Sequence, residues 1–212
     1  MGIALKFPTT LQERIAFGPA IVRFPGTWDE YWELAESAEY NVEFQNNEIL
    51  AMSYESDPHS RIAASVLRIL GNLFLHDDQV VVHDMNRPIY IESTGAVYTP
   101  DTSVVSEPGK KYEYRPGMNA EMTPVVVVEV LSPTTRSHDL EDKLPGYKSI
   151  PGIQHIIYIE NASPYVTVYT KLENTGKWDN KVYGDLADSF QIGEKTIALK
   201  EIYHKVAFEN RS

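Results

Sequence analysis

Glu129 gives the strongest chemical signal in the sequence, because it lies inside the apolar run of residues 125–131. A continuous run of β-branched residues predicts a strand that is buried on both faces. A carboxylate in such a strand costs several kcal/mol unless it is paired, protonated or bound to a cation. Two interpretations stay open: a cleft at the strand's end, or a structural ion pair with a lysine or arginine.

Asp101 is the second candidate, since it follows Pro100 and precedes the short apolar segment 102–106. Taken alone, an aspartate in this place also fits a turn or a cap. Two acids on neighbouring strands, however, suit a hard divalent cation such as Mg²⁺. Such a cation polarises a phosphate and lowers the pKa of a bound water, which are the two needs of phosphodiester hydrolysis.

Lys143 is the third candidate and stands 14 residues after Glu129. That distance allows the chain to leave the strand and turn into a helix that packs back on the sheet. From there the ammonium can orient water or stabilise negative charge. The alternative is a solvated i,i+4 pair with Asp139, worth about 0.3–0.5 kcal/mol.

The elements that must position these residues follow from periodicity and from turn residues. Thr27 predicts the cap of a helix that starts at Trp28, and Asn46-Asn47 predicts a hairpin turn. Apolar spacing predicts helices over 59–76 and 135–150, the second kinked at Pro145-Gly146. Strands are predicted within 42–53, 80–84, 88–92, 101–106, 124–131, 153–160, 165–171, 177–183 and 196–202.

Three segments are predicted to lack regular structure: an irregular N-terminal arm over 1–26, a turn over 95–100 and a loop over 107–123. The remaining order of helices and strands predicts an α/β (α+β mixed) fold. We expect one mixed β-sheet flanked by helices, with extra edge strands. The whole chain, 1–212, is predicted to be a single domain with its core at about 40–170.

Composition restricts the classes of function. There is no cysteine, which excludes disulfides, cysteine-ligated metals and a thiol nucleophile. The net charge of −11 argues against a protein that binds DNA through charge alone, but not against nucleic-acid chemistry at a local metal site. The sequence has no apolar run of about 18 residues and no secretory pattern, so we expect no membrane partner and a cytoplasmic location.

Together these residues resemble the Uma-type endonuclease family of the PD-(D/E)XK, or restriction-endonuclease-like, superfamily. The resemblance rests on Pro100-Asp101, on EVLSPTT at 129–135, on the spacing of Asp139, Lys143 and Tyr147, and on Gly152 before a strand. It covers roughly residues 40 to 160.

The resemblance implies a restriction-endonuclease-like core and an endonuclease that hydrolyses DNA with Mg (or Mn). It implies Asp101 and Glu129 as metal ligands, with Glu43 as a weaker third. In the superfamily the lysine stands two residues after the glutamate. Leu131 occupies that place here, so the resemblance implies that Lys143 has taken the role from the next helix.

The resemblance also suggests accessory roles and partners. His59 can line the cleft, although a capping role remains open. Asp139 can hold Lys143, and Tyr147 can stack or hydrogen-bond. Arg136 and Lys148 are candidates for phosphate contact. The resemblance further implies a homodimer, for which the aromatic residues at 28, 31 and 32 could supply either an interface or ordinary core.

Two rival functions remain. The first is a catalytically inactive nuclease fold that serves as an interaction or assembly module, with the acids reduced to structure. The second is a hydrolase of another class, such as a glycosidase with two carboxylates; the Pro-Asp and EVLSP motifs weigh against it. His76, His83 and His138 show no metal-ligand spacing and are left unassigned.

Overall fold

The computed structural model describes residues 7–173 and 175–208. The regular structure of this part consists of two larger β-sheets, a hairpin and a few helices. The predicted α/β class is confirmed. The prediction of one mixed sheet is wrong, because the strands divide into a seven-stranded and a six-stranded sheet.

Helices occupy six segments of the described chain. They are α1 (Leu11–Ala16), α2 (Trp28–Ser37), α3 (Asp57–Leu73), a π-helical segment (His138–Lys143), α4 (Leu144–Ser149) and α5 (Leu199–Ile202). Thr27 caps α2 as predicted: its hydroxyl accepts from the backbone N–H of Glu30, whose side chain bonds back to Thr27.

The seven-stranded sheet has the order β1-β3-β2-β6-β5-β9-β8. Its strands are β1 (Ile21–Pro25), β2 (Val42–Gln45), β3 (Glu48–Met52), β5 (Ile89–Ile91), β6 (Ala96–Tyr98), β8 (Lys111–Arg115) and β9 (Met118–Glu121). The predicted hairpin turn between β2 and β3 is confirmed. Asn46 and Asn47 both have positive φ, at 52° and 59°, which asparagine tolerates better than most residues.

The six-stranded sheet has the order β13-β12-β11-β10-β7-β4. Its strands are β4 (Val80–Asp84), β7 (Thr102–Ser106), β10 (Pro124–Leu131), β11 (His155–Glu160), β12 (Val166–Lys171) and β13 (Trp178–Tyr183). The pair β10–β11 is parallel and its neighbours are antiparallel, so this sheet is mixed. A hairpin of β14 (Ser189–Ile192) and β15 (Lys195–Ala198) follows.

β10 separates two parts of the hydrophobic core. Val126, Val128 and Val130 face α3 and α5 in one cluster, whereas Val127 and Leu131 belong to a second cluster that includes α4 and strands β5 and β6. Because side chains alternate along a strand, Glu129 shares the second face. It therefore points into the junction between the two sheets, on the side of the helical segment that carries Lys143.

Three segments predicted to be irregular are partly regular, and these predictions are corrected. Within the supposed arm, residues 11–16 form α1 and residues 21–25 form β1, because Pro19 lies between the two elements and Pro25 is the last residue of β1. Residues 1–6 of that prediction lie outside the described residues. The turn over 95–100 contains β6, and the loop over 107–123 contains the hairpin β8–β9.

The hairpin β8–β9 escaped prediction because it is an edge of its sheet. Side chains of β8 alternate between exposed and half-buried, so the strand carries no apolar run. Two further elements differ from the prediction. No strand was predicted for β14, and the strand predicted over 196–202 is the end of β15 followed by α5.

The helix predicted over 135–150 is shorter and has two parts. Its first part is π-helical, with the Leu144 N–H donating to the carbonyl of Asp139. Pro145, which has no N–H to donate, follows at the start of α4. Gly146 lets α4 approach the second core closely, since a Cβ there would lie 2.9 Å from the ring of Tyr98. This approach sets the helical segment over Glu129.

Candidate active site

Asp101 lies beside Glu129 because of the register between β7 and β10. Thr102 pairs with Val128, so the residue before β7 falls next to the end of β10. The carboxylate is fixed there, since its Oδ2 accepts a hydrogen bond from the backbone N–H of Val130 at 2.7 Å. The sheet itself therefore brings the two predicted acids together.

Glu129 is buried, with 3% of its surface exposed. Its Oε1 accepts from the hydroxyl of Tyr147 at 2.6 Å and from the ammonium of Lys143 at 3.1 Å. Burial raises the pKa of Glu129 well above its ordinary value; Lys143 lowers it, and nearby carboxylates add to the rise. The group is thus held at the cleft in an environment that favours taking up a proton or a cation.

Lys143 connects three carboxylates and is 2% exposed. Its Nζ lies 2.8 Å from Glu43 Oε1, 3.1 Å from Glu129 Oε1 and 3.1 Å from Asp139 Oδ1. Burial lowers the pKa of the ammonium, but the carboxylates outweigh it and raise that pKa well above its ordinary value. The alternative of a solvated Asp139–Lys143 pair is therefore wrong, because both side chains are buried.

Glu43 is fully buried on β2 and uses both carboxylate oxygens. Oε1 accepts from the backbone N–H of Thr99 at 2.9 Å, in addition to the ammonium of Lys143. Oε2 lies 2.7 Å from Nε2 of His138. Burial raises the pKa of Glu43, but the charges of Lys143 and His138 outweigh it and lower the pKa to about 2. Glu43 therefore joins the seven-stranded sheet to the helical segment.

His59 lies in the first turn of α3, where its backbone N–H donates to Ser56. Its Nε2 is 3.3 Å from Asp101 Oδ2 and 3.6 Å from Glu55 Oε2. Burial lowers the pKa of the imidazole, but its hydrogen bond to Asp101 and the two acidic charges raise it overall. The helix thus presents a buried histidine directly to one of the predicted metal ligands.

His138, which sequence reasoning left unassigned, lies inside this network. Its Nε2 faces Glu43, and its Nδ1 is 2.8 Å from Asp142 Oδ2. Asp142 in turn accepts from the guanidinium of Arg23 on β1 at 2.6 Å. The i,i+4 spacing of His138 and Asp142 was visible in the sequence, but nothing local indicated the contacts to β1 and β2.

A cleft of about 430 Å³ opens over these residues. Among the described residues that line it, Lys143 is the only lysine or arginine. The carboxylates that line it are those of Glu39, Glu43, Glu55, Asp101, Glu129 and Asp139. Such a lining attracts cations and repels bare phosphate.

The donor chemistry fits a hard divalent cation only in part. Carboxylate oxygens are the ligands that Mg²⁺ prefers. Within residues 7–173 and 175–208, Asp101 Oδ1 and Glu129 Oε2 make no hydrogen bond or ion pair, so both remain available. Across the same residues, however, no three histidine or acidic side chains are arranged to hold one ion.

The other candidates lie outside the cleft lining. Arg136 pairs with Glu160, and Lys148 lies over the ring of Tyr169 at 4.4 Å. The aromatic side chains predicted for either an interface or the core pack in the core with Phe44 and Tyr112: Trp28, Tyr31 and Trp32. Among the helices of the described chain, none has the length and apolar character of a membrane span.

Comparisons with known proteins place this chain in a family. The family model Uma2, described as "Putative restriction endonuclease", matches residues 28–198. Two proteins of Synechocystis sp. are similar in sequence. "Uncharacterized protein sll1609" is 27% identical over 146 residues, covering 68% of this chain and 79% of that protein. "Uncharacterized protein slr1290" is 28% identical over 182 residues, covering 85% and 92%.

A solved structure supports the fold. It is described as a "putative nuclease belonging to DUF820" from Anabaena variabilis and matches with a TM-score of 0.63 at 17% identity. The match covers 92% of this chain and 98% of the other. The fold is therefore of the nuclease type, as expected from the motifs.

The chain belongs to the Uma2 family, since the family model covers most of its length. The resemblance inferred from the motifs is confirmed, and the family places the chain among nuclease-type hydrolases.

Proposed function

We propose that the protein is a metal-dependent endonuclease that hydrolyses phosphodiester bonds in DNA. One observation carries the proposal: Asp101 just before β7, Glu129 on β10 and Lys143 on the π-helical segment line a single cleft. Membership in the Uma2 family supports the reaction class.

Asp101 and Glu129 are the proposed ligands of Mg²⁺ or Mn²⁺, since each keeps one carboxylate oxygen free. A divalent cation held there supplies the positive charge that offsets the negative charge growing on a phosphate. Glu43 was the third ligand expected from the resemblance. We assign it instead to holding Lys143, because both of its oxygens are already bonded.

The protein's own side chains have distinct tasks in this proposal. Lys143 orients the attacking water or stabilises charge on the phosphate. Asp139 holds the ammonium from one side, and Tyr147 fixes Oε1 of Glu129 because its hydroxyl donates a hydrogen bond to that oxygen. His59 lies close enough to Asp101 to keep that carboxylate oriented.

Calorimetric titration with Mg²⁺ and Mn²⁺, followed by cleavage assays on DNA, tests the proposal. We expect one cation site in the wild type and its loss in Asp101→Ala and Glu129→Ala. Cleavage should fall by at least a hundredfold in both, which is the scale for losing a group that stabilises transition-state charge. Asp179→Ala is the control, because Asp179 is a half-buried residue of β13 that pairs with Lys181 and does not line the cleft.

The titration also separates the proposal from its rival. A wild type that binds neither cation and cleaves no DNA or RNA would favour the inactive interaction module. The full pairing of Lys143 with three carboxylates is the observation that favours this rival, because such a network can also be structural. Cleavage of RNA without DNA would keep the chemistry and change the substrate.

A homodimer is part of the proposal, since two copies can cut two strands. Light scattering during gel filtration should give twice the chain mass of 24.0 kDa. A second copy would also extend the DNA-contacting surface beyond the acidic cleft. A single-chain mass across micromolar concentrations would remove the dimer from the proposal and leave the cleft chemistry unaffected.

A further inference from the structure

A continuous series of contacts runs from the protein surface to Lys143. It begins at Arg23, whose guanidinium pairs with Asp142 at 2.6 Å. It continues through the two ring nitrogens of His138, which lie 2.8 Å from Asp142 and 2.7 Å from Glu43. Glu43 then contacts the ammonium of Lys143 at 2.8 Å. His138 is therefore the link between a surface ion pair and the buried lysine.

The position of Glu43 makes this link important. Glu43 is fully buried, so water cannot replace a lost partner of its carboxylate without a change in the packing. Among the described residues, His138 is the one group that bonds Oε2, whereas Oε1 is shared by Thr99 and Lys143. Loss of the imidazole would leave a buried carboxylate oxygen unpaired and free to turn toward another donor.

Lys143 depends on Glu43 for its direction. The side chain comes from the π-helical segment, and the carboxylate of Glu43 approaches it from the other sheet at the shortest of its three ion-pair distances. Of the two remaining partners, Asp139 lies four residues before Lys143 on the same helical segment, and Glu129 lies on β10. Without Glu43 held in place, the flexible lysine would keep only its contacts with Glu129 and Asp139, and its ammonium would leave the position that the contact with Glu43 sets.

We propose that His138 is a positioning residue for Lys143, acting through Glu43. This inference rests on the proposed function for its kinetic consequence only. His138 touches neither of the proposed metal ligands and does not line the cleft, so it affects the reaction through the carboxylate that it holds.

The test compares three variants: two replace His138, and the third makes the same histidine-to-phenylalanine change at another buried histidine. His138→Phe removes both hydrogen bonds and keeps a flat ring. His138→Gln keeps a side-chain N–H that can donate to Glu43. His155→Phe is the control, because His155 is a buried histidine on β11 that bonds Thr170 at 3.2 Å, apart from the cleft lining.

The first readout does not depend on activity. A held, buried ammonium exchanges its protons slowly enough to give a ¹H–¹⁵N signal, and Lys143→Met identifies that signal by its loss. We expect the signal in the wild type and in His155→Phe, its loss in His138→Phe and its return in His138→Gln. A missing signal in the wild type, or an unchanged one in His138→Phe, would overturn the inference.

The second readout is steady-state cleavage. We expect kcat to fall about ten- to a hundredfold in His138→Phe with KM within about twofold, because a misplaced group weakens the transition state and leaves binding intact. His138→Gln should recover much of kcat. Equal losses in His138→Phe and His155→Phe would reduce His138 to a stabilising role. A wild type without cleavage, but with the expected signals, would defeat the proposed function and leave the positioning inference standing.

Discussion

Glu129 and Glu121 are both almost completely buried, at 3% and 1% exposure. Acidic side chains outnumber basic ones around Glu129, whereas basic side chains outnumber acidic ones around Glu121. Glu129 shares the ammonium of Lys143 with two further carboxylates. Glu121, at the end of β9, lies within 4.0 Å of three basic side chains: Arg87 at 2.6 Å, Lys111 at 3.6 Å and His83 at 4.0 Å.

The difference shows that burial of a carboxylate does not by itself mark a reaction site. A single acid among several bases is already compensated and needs no further cation. Several acids around one base retain net negative charge, which a cation can offset. The cluster around Glu129 also opens on a cleft, whereas Glu121 does not line it. The sign of the excess charge and the access to the cleft together distinguish the cluster around Glu129 from the one around Glu121.

The largest effect expected from this comparison is a loss of protein stability when Glu121 is replaced. We expect Glu121→Ala to lower the free energy of unfolding by about 2–3 kcal/mol, because it leaves the half-buried guanidinium of Arg87 without its charged hydrogen-bond partner. Urea denaturation measures the loss. Cation binding by the folded variant should match the wild type. A variant of unchanged stability, or one with altered cation binding, would break the contrast between a structural and a reactive cluster.

A second effect concerns acid stability at Glu43. The pKa of Glu43 is lowered from 4.5 to about 2 in the folded protein, so folding is favoured when this group is ionised. Its contribution, about 3 kcal/mol, is present above pH 4.5 and is lost as the pH falls toward 2. Denaturation at pH 7 and at pH 3 measures it.

Glu43→Gln should remove this part of the acid dependence. We expect the wild type to lose roughly 2 kcal/mol more than Glu43→Gln between the two pH values. Glu92→Gln is the control, because Glu92 is exposed and pairs with Lys110 at the surface. Identical pH profiles for the wild type and Glu43→Gln would mean that the network does not hold Glu43 as an anion.

The smallest effect is expected for Glu129→Gln. The raised pKa of Glu129 means that ionisation opposes folding, so its contribution is lost as the pH rises through and above its ordinary value. An amide at this position can still accept from Tyr147. We therefore expect stability at pH 7 to remain within about 1 kcal/mol of the wild type or to increase, as measured by urea denaturation. A large loss would make Glu129 a structural partner like Glu121.

The sequence predicted most of the elements around the site, for reasons that are local. Alternating side chains placed Glu129 on the face of Val127 and Leu131, which the structure confirms. The asparagine pair predicted the turn between β2 and β3. Edge elements were missed, since α1, β1 and β8 carry no long apolar run. Arg14 on α1, for example, is buried because it donates to the carbonyl of Ala51 on β3.

The candidate site divides in the same way. Residue type, strand periodicity and spacing identified Asp101, Glu129 and Lys143, because these properties can be read from short stretches of the sequence. Their catalytic roles remain predictions. The meeting of Glu43 and His138, 95 residues apart, was decided only by the packing of one sheet against the other. Hydrogen bonds between distant residues depend on tertiary distances, which no local pattern contains, and those distances determine which carboxylates share Lys143.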